Sequence, residues 1–440
     1  MESCRTRVAP SLYLARELLA TELLTYIATF MPHRSLCRLD TAGRDIHYGG
    51  LTRRVCLQRA GTWLASSELP PRAAHMGWVQ WSREVRFYAL VKGNRSRRII
   101  AGGFVEGLSG NFSLVIRRDG SVFANGALMV DDPHDACTTR VLCLKAAARC
   151  LSGRAVQATG SSRHVLVLME SGDVMRIGDA ASPSLENDSR SRDLHVPVAI
   201  EGLRGKVVVQ VAAGGAHSLI LTKECGVLTL AKGGCIAPGA CGHGERTVHT
   251  GRPMEIEALR RVRVRQVAAG GYHSMLLLEE GDVMSCGLGL YGQLGHGDYD
   301  DRPIPTRVDA LRGKGVTHVS AGHTHSLVLL GGGGVMSFGD GDYGRLGHGD
   351  ERSRHTPTRV VGLQDQVATQ ISAGHGHSLV LLADRRLVTF GRSGFRDRGI
   401  PVAPHAQLTP AFVHGVRASA VAAGMGQSVI AMDDGYYINT

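Results

Sequence analysis

The sequence is poor in aromatic residues and has no uninterrupted apolar segment long enough to cross a membrane. Phe, Trp and Tyr make up 5% of its 440 residues, and the apolar-looking stretch 11–31 is broken by Arg16, Glu17 and Glu22. A membrane-spanning helix needs about 20 consecutive apolar residues. The charges also argue against a signal-peptide core. We therefore expect no membrane association.

The sequence also has no closely spaced cysteine pair of the C-x-x-C type. None of the ten cysteines stands in a C-x-x-C pair, and a chain of this length is neither short nor cysteine-dense enough to suggest a disulfide scaffold. Reduced thiols in the cytoplasm, the nucleus or both are the better interpretation. No G-x-x-x-x-G-K-[ST] phosphate loop is present. We expect no cofactor and no metal site.

Positive charge is concentrated at one end of the chain. The net charge is +11, but residues 1–100 hold 16 Lys and Arg against 7 Asp and Glu, whereas the remaining residues hold 34 against 32. A surface that coats nucleic acid needs basic residues spread over the binding domain. The near-neutral remainder therefore does not predict a nucleic-acid partner.

Glycine, in contrast, is abundant, and much of it belongs to a repeat. The phrases AAGGAHSLILT, AAGGYHSMLLL, SAGHTHSLVLL and SAGHGHSLVLL recur, with looser copies before and after them. The marker position falls at Phe112, His164, His217, His273, His325, His377 and Gln427, at spacings of 50 to 56 residues. A regular period of this length indicates a repeat architecture.

Each unit contains short apolar runs separated by glycine turns, as in VTHVSAG, HSLVLL and GGVMSFG. Such runs predict the strands of one antiparallel sheet, which buries both faces only when it stacks against neighbouring sheets. Seven units lie within the range of β-propellers. The predicted fold is an all-β seven-bladed β-propeller preceded by a small α-helical module.

The repeat resembles the regulator of chromosome condensation repeat family, whose hallmark is A-G-x-x-H-S followed by an apolar run. The resemblance covers about residues 85–440 and is strongest in units three to six, which also contain GQLGHGD (292–298) and GRLGHGD (344–350). It implies a seven-bladed propeller that binds proteins.

The repeated histidines are the obvious candidates for chemistry. Catalysis needs one asymmetric group of residues, and metal binding needs ligands that converge on one point. Residues that recur once per blade do neither unless they meet at the axis. We therefore predict a structural role, such as a bond to a neighbouring backbone carbonyl, for His217, His273, His325 and His377.

The N-terminal part has the pattern of a helical module. Leu19, Leu23, Ile27 and Phe30 fall at helical spacing, and Pro32 ends the helix. Residues 16–46 resemble an F-box, with Ala20 and Ser35 departing from that pattern. The resemblance implies an adaptor-binding surface formed by Leu19, Leu23, Leu24, Ile27, Pro32, Leu36 and Leu39.

We accordingly predict an N-terminal tail at 1–12, an F-box-like module at 13–50, a helical linker at 51–82 and the propeller at 83–440. The segment Val85–Val91 is expected to supply the outer strand of the last blade.

Together the two resemblances imply a non-catalytic adaptor of a Skp–cullin–F-box ubiquitin ligase. Its partners would be a Skp-type adaptor, a cullin and an unknown protein substrate. The alternative is a guanine-nucleotide exchange factor for a Ran-like small GTPase, or a chromatin-binding propeller. The interval from His217 to His273 leaves little room for the wedge that exchange requires. A light-sensing role does not fit, since Trp63, Trp78 and Trp81 precede the ring.

For the substrate site, irregular connections are better candidates than regular repeat turns, because recognition usually lies in loops on a rigid scaffold. The connection 392–407 carries Arg392, Arg396 and Arg398, whose guanidinium groups can bind a carboxylate or phosphate at two points. We predict that these three arginines bind the substrate.

Overall fold

The computed structural model describes a large part of the chain after residue 97. The described residues all belong to the second of two units, Asn94–Thr440. They are 98–102, 112–116, 119–132, 135–143, 147–148, 150–161, 164–178, 197–203, 205–215, 217–231, 239–244, 252–392, 407–424, 428–432 and 437–439.

Several predictions from the sequence fall outside these residues. They are the tail (1–12), the F-box-like module (13–50) with its seven adaptor-binding residues, the helical linker (51–82), the closing strand Val85–Val91, and Arg396 and Arg398.

Within the described part, the chain forms antiparallel sheets in sequence order, five with four strands and one with six. The first three are β1 (Arg98–Gly102), β2 (Phe112–Ile116), β3 (Val122–Asp132), β4 (Asp135–Cys143); β5 (Ala155–Gly160), β6 (His164–Met169), β7 (Val174–Gly178), β8 (Val198–Ala199); and β9 (Val208–Ala213), β10 (His217–Thr222), β11 (Val227–Ala231), β12 (Met254–Glu255).

The later sheets are more regular. They comprise β13 (Val264–Ala269), β14 (His273–Leu278), β15 (Val283–Gly287), β16 (Arg302–Arg307); β17 (Val316–Ala321), β18 (His325–Leu330), β19 (Val335–Gly339), β20 (Arg354–Arg359); and β21 (Ala368–Ala373), β22 (His377–Leu382), β23 (Arg386–Gly391), β24 (Gln407–Ala423), β25 (Ser428–Met432), β26 (Tyr437–Asn439). Short 3-10 turns lie at Glu257–Leu259, Asp309–Leu311, Asp342–Gly344 and Val361–Leu363.

The second strand of each regular sheet is buried on both faces. In β14 every residue is buried, although alternate side chains of a strand point in opposite directions. Leu276 and Leu278 pack with Leu219 of the preceding sheet, whereas Met275 and Leu277 pack with Val328 of the following one. The apolar core therefore lies between stacked sheets, which is the packing of a β-propeller.

The first strands of successive sheets lie side by side around the inside of the ring. The strand β1 lies beside β5 at one side and β24 at the other. Glutamine side chains connect several of these inner strands: the Gln266 amide donates to the carbonyl of Val319 at 3.0 Å and accepts from the amide of Val319 at 3.0 Å. Equivalent pairs join Gln157 to Val211, Gln210 to Val267 and Gln370 to Val421.

The repeated histidines connect each sheet to the next. Their Nε2 atoms contact serine hydroxyls one repeat later, His217 to Ser274 at 2.7 Å, His273 to Ser326 at 2.9 Å and His325 to Ser378 at 3.0 Å. The histidines therefore do not bond a backbone carbonyl directly, as predicted, but reach one through the serine. Each of these serines donates to a backbone carbonyl; for example, Ser326 donates to that of Gln293 at 2.8 Å.

This relay determines the tautomer of the histidines. A serine has one hydroxyl hydrogen, and Ser326 uses it on the carbonyl of Gln293, so the Nε2 of His273 must donate. The Nδ1 of His273 is then the unprotonated nitrogen, and no hydrogen-bond partner lies near it in the described structure. A Cβ at Gly270 would lie 2.7 Å from this nitrogen. The glycine of the A-G-x-x-H-S phrase therefore makes room for a neutral imidazole.

Burial disfavours protonation of these rings. It lowers the pKa of His217 to about 4, that of His273 to about 3 and that of His377 to about 4, with neighbouring histidines acting in the same direction. Burial, followed by the charge of Arg345, also holds the pKa of His325 well below its usual value.

Stability should therefore fall as the solution is acidified. Because the folded-state pKa values lie below the value of about 6.5 in an unfolded chain, the unfolded state binds more protons between pH 6.5 and 4. The stabilisation is complete above pH 6.5 and is lost as the pH falls toward 4. We expect the melting temperature, followed by circular dichroism, to drop over this window. In His325→Gln, unfolding at pH 5.5 should take up about one proton fewer. Equal melting temperatures at pH 7 and pH 4.5 would contradict this account.

Candidate protein-binding face

Two kinds of loop lie at the same end of the sheets. They are the turns between the first and second strands, which precede the histidines, and the connections between the third and fourth strands. We call this end the loop face. In units four to six it comprises the turns 270–272, 322–324 and 374–376, the connections 288–301 and 340–353, and Arg392. The opposite end, where the second strand turns into the third, is the turn face.

A buried ion pair lies beneath the loop face in unit five. The Nη1 of Arg345 is 2.9 Å from Oδ2 of Asp340, and both side chains are less than one-tenth exposed. Thr324 completes the group, since its Oγ1 accepts from Nη1 of Arg345 at 2.6 Å and donates to Oδ2 of Asp340 at 2.8 Å. The charge of each partner is thus matched within one enclosed network.

The preceding repeat contains no such network. In the sequence, Tyr272, Leu288 and Gln293 occupy the places of Thr324, Asp340 and Arg345. Gln293 is fully buried, and its Oε1 accepts from the backbone amide of Tyr291 at 2.9 Å. The same fold is therefore built with apolar and neutral residues one repeat earlier, so the ion pair is not a requirement of the blade.

The ion pair instead holds the backbone beside it. Oδ1 of Asp340 accepts from the amide of Asp342 at 2.9 Å, and Nε of Arg345 donates to the carbonyl of Asp342 at 2.9 Å. The next residue, Tyr343, has φ 59°, a left-handed conformation that a bulky side chain seldom adopts. Strain of this kind persists only where the surroundings over-determine the backbone. The two bonds to Asp342 provide that constraint.

Large side chains are exposed on the loop face in units four and five. Leu290 is 62% exposed, Tyr291 38% and Tyr343 42%. The guanidinium carbon of Arg392 lies 5.5 Å from the centre of the Tyr343 ring, and that of Arg345 lies at the same distance. Beside them the inner turns carry a row of rings, with His323 and His375 stacked at 4.4 Å and Tyr272 edge-on to His323 at 5.2 Å. Burial lowers the pKa of His323 to about 4, so this ring stays neutral beside Arg345.

The predicted substrate arginines are represented here by Arg392 alone, which lies exposed on the loop face beside Tyr343. The other exposed groups, Leu290, Tyr291 and Tyr343, belong to regular repeat turns, which the sequence analysis set aside as structural. A signal was present in the difference between GLGLYGQLGHGD and GDGDYGRLGHGD, where Asp340 and Arg345 replace two uncharged residues.

On the turn face, a cavity of 490 Å³ lies beside units three and four, lined by Lys206, Cys225, Glu255, Arg261 and others. Arg260 and Arg263, which also line it, are paired with Glu257 and Glu279 at 2.7 Å each. Over the described residues, no group of three or more His, Cys, Asp or Glu side chains is placed to hold a metal ion. No helix in that part of the chain is long and apolar enough to cross a membrane.

The antiparallel sheets stack around a ring of inner strands that glutamine side chains connect. This arrangement defines a β-propeller built from repeats. The model of the RCC1-like domain family matches residues 107–431, so the chain belongs to that family.

Two curated relatives are similar to part of this chain. Human HERC2, an E3 ubiquitin-protein ligase, is 36% identical over 238 residues, which are 54% of this chain and 5% of HERC2. The ultraviolet-B receptor UVR8 of Arabidopsis thaliana is 33% identical over 210 residues, 48% of this chain and 47% of UVR8. The chain therefore matches less than half the length of either protein.

Solved structures share the fold at lower identity. Human WBSCR16 superposes with a TM-score of 0.61 and 22% identity, covering 77% of this chain and 88% of that one. Prp20p of Saccharomyces cerevisiae gives a TM-score of 0.59 and 19% identity, covering 73% and 80%.

The network can be tested for its effect on stability. Arg345→Gln leaves the buried Asp340 without a counter-charge and should lower the free energy of unfolding by about 3–5 kcal/mol. The double variant Asp340→Leu/Arg345→Gln introduces the leucine and glutamine that unit four has at these two places and should lie within about 2 kcal/mol of wild type. Urea unfolding measures both. A double variant as unstable as Arg345→Gln would show that the pair is needed by the blade itself.

Proposed function

We propose that this chain is a non-catalytic protein-binding propeller that holds its partner on the loop face. The observation that carries the proposal is the set of exposed side chains Leu290, Tyr291, Tyr343 and Arg392 on one end of the sheets, where a buried, hydrogen-bonded network supports Tyr343. Tyrosine and arginine dominate the energetics of many protein interfaces. A rigid ring that presents them at one end lowers the entropic cost of ordering on binding.

For the partner we propose a small GTPase of the Ran-like kind, which the propeller binds without a catalytic step of its own. Prp20p, which shares the fold, has been studied for binding to Gsp1p and histones. The chromatin alternative receives less support from the nearly balanced charge of residues 101–440, where 34 basic residues face 32 acidic ones.

We also infer that the ring contains seven blades. The support comes from β24, a strand of 17 residues whose first part pairs with β23 and whose last part pairs with β25. One strand thus serves two repeats, and the six-stranded sheet counts as two blades. The position of β1 beside both β5 and β24 is the arrangement that a closed ring requires.

Binding to the loop face can be measured with nucleotide-free Ran on a biosensor. Leu290→Ala/Tyr291→Ala should weaken the affinity of the full chain by about tenfold or more, because it removes exposed side chains at the centre of the proposed interface. The matched control is Val361→Ala/Val367→Ala, which removes two side chains, 62% and 56% exposed, at the turn face. Equal loss in both variants would contradict the loop face, and no binding by wild type would reject the Ran-like partner.

A second candidate function is the Skp–cullin–F-box adaptor. It is favoured by the resemblance of residues 16–46 to an F-box and by the similarity of part of this chain to the E3 ubiquitin-protein ligase HERC2. In this role Leu19, Leu23, Leu24, Ile27, Pro32, Leu36 and Leu39 would bind the adaptor, and the loop face would hold the substrate.

Single charges in the helical module test that role. Ile27→Asp or Leu36→Asp places a carboxylate in an interface expected to be apolar and should abolish capture of a purified Skp-type adaptor. The melting temperature of the propeller should remain unchanged in both variants. Absence of adaptor capture by the wild-type chain would reject the F-box interpretation.

A further inference from the structure

In the Tyr343–Arg392 pair, a guanidinium group contacts an aromatic ring and has no acidic partner among the described residues. On the same face, Arg302 is paired with Asp298 at 2.6 Å and Arg354 with Asp350 at 2.8 Å. Among the described residues, Arg392 has no carboxylate within ion-pair distance, and its side chain is exposed. The charge of this guanidinium is therefore available to a partner.

The orientation of this arginine is favourable for capturing a carboxylate. A guanidinium that lies against an aromatic ring keeps its N–H groups free to form two parallel hydrogen bonds with a carboxylate. Tyr343 is in turn fixed by the hydrogen bonds of Asp340 and Arg345 to the backbone of Asp342. The strained tyrosine thus positions the arginine before any partner arrives.

The surroundings specify the rest of the ligand. Leu290 and Tyr291, the equivalents of Asp342 and Tyr343 one repeat earlier, offer apolar surface. A segment that contacts both places needs an acidic side chain and an apolar one. Asp342 is exposed beside Tyr343, but no ion pair among the described residues joins it to Arg392.

We propose that the Tyr343–Arg392 pair is an acidic-residue receptor, which binds a carboxylate of an acidic–apolar segment in the protein partner. The proposal rests on the proposed function of the loop face and adds the chemistry of the bound segment. The roles are distinct: Arg392 contacts the carboxylate, Tyr343 supports Arg392, and Asp340 and Arg345 position Tyr343.

The probe is a random 12-residue peptide library displayed on phage and selected on the immobilised full chain. The wild-type protein should select peptides that contain Asp or Glu together with apolar residues. Arg392→Glu should lose this preference and select Lys and Arg instead, because its carboxylate repels the original ligands. Arg352→Glu reverses another exposed charge on the loop face and is the matched control, which should select the same peptides as wild type.

One acidic peptide from the wild-type selection then gives affinities by fluorescence anisotropy. Arg392→Glu and Tyr343→Asn should each weaken binding by about tenfold or more, with melting temperatures equal to wild type. Asparagine is chosen at position 343 because it tolerates the left-handed conformation. Arg352→Glu should stay within about twofold of wild type.

The outcomes separate the two proposals. If Arg392→Glu still selects acidic peptides, or if Arg352→Glu weakens binding equally, the receptor assignment is overturned. If wild type selects peptides without acidic residues and loses them in Leu290→Ala/Tyr291→Ala, the receptor is overturned and the loop-face function stands. If no selected peptide depends on any loop-face residue, both are overturned.

Discussion

The structure depends on how neighbouring sheets are connected where no β-ladder joins them. The inner strands of neighbouring sheets are instead joined by side chains and by single backbone hydrogen bonds. Glutamine side chains bond the backbone of the neighbouring inner strand, as Gln266 does with Val319. The backbone amide of Gly271 also donates to the carbonyl of Gly322 in the next repeat, at 3.1 Å. A Cβ at Gly270 would lie 2.5 Å from the same carbonyl. The glycine and histidine of the repeat are thus two parts of one close contact.

This contact leaves little freedom for chemistry at the repeated positions. The imidazole of His273 is neutral, donates through Nε2 and has no exposed surface, so it neither exchanges protons with a ligand nor reaches one. Binding properties that distinguish this chain from other propellers with the same repeat must therefore come from residues that depart from the repeat pattern. The Thr324–Asp340–Arg345 network is such a departure, and it lies beside the face where the connections between strands collect.

The sequence allowed the propeller fold and the strand positions to be predicted because both follow from local signals, namely apolar alternation, glycine turns and a fixed period. The serine partner of each histidine was missed, although it is the residue after the histidine in the next repeat, because a contact across a repeat boundary has no local signature. The ion pair was missed for a different reason. Asp340 and Arg345 are five residues apart in a turn, where charges are usually solvated, but both are buried in the folded protein, and Arg345 donates to the carbonyl of His375 in unit six. The helical module rests on periodicity and resemblance alone.

A buried ion pair is weak evidence for stability, because desolvation of the two charges offsets much of their attraction. Its presence in unit five, where unit four is built with Leu288 and Gln293, therefore calls for another explanation. Both charged groups bond the backbone of Asp342, and the residue that follows is the strained, exposed Tyr343. The network therefore stabilises one backbone conformation, that of Asp342 and Tyr343. A tyrosine on a relaxed turn would pack a neighbouring arginine equally well, but it would not hold that arginine in one place before binding. Preorganisation of this kind is favoured where a partner must be recognised, and it serves no purpose in closing a ring.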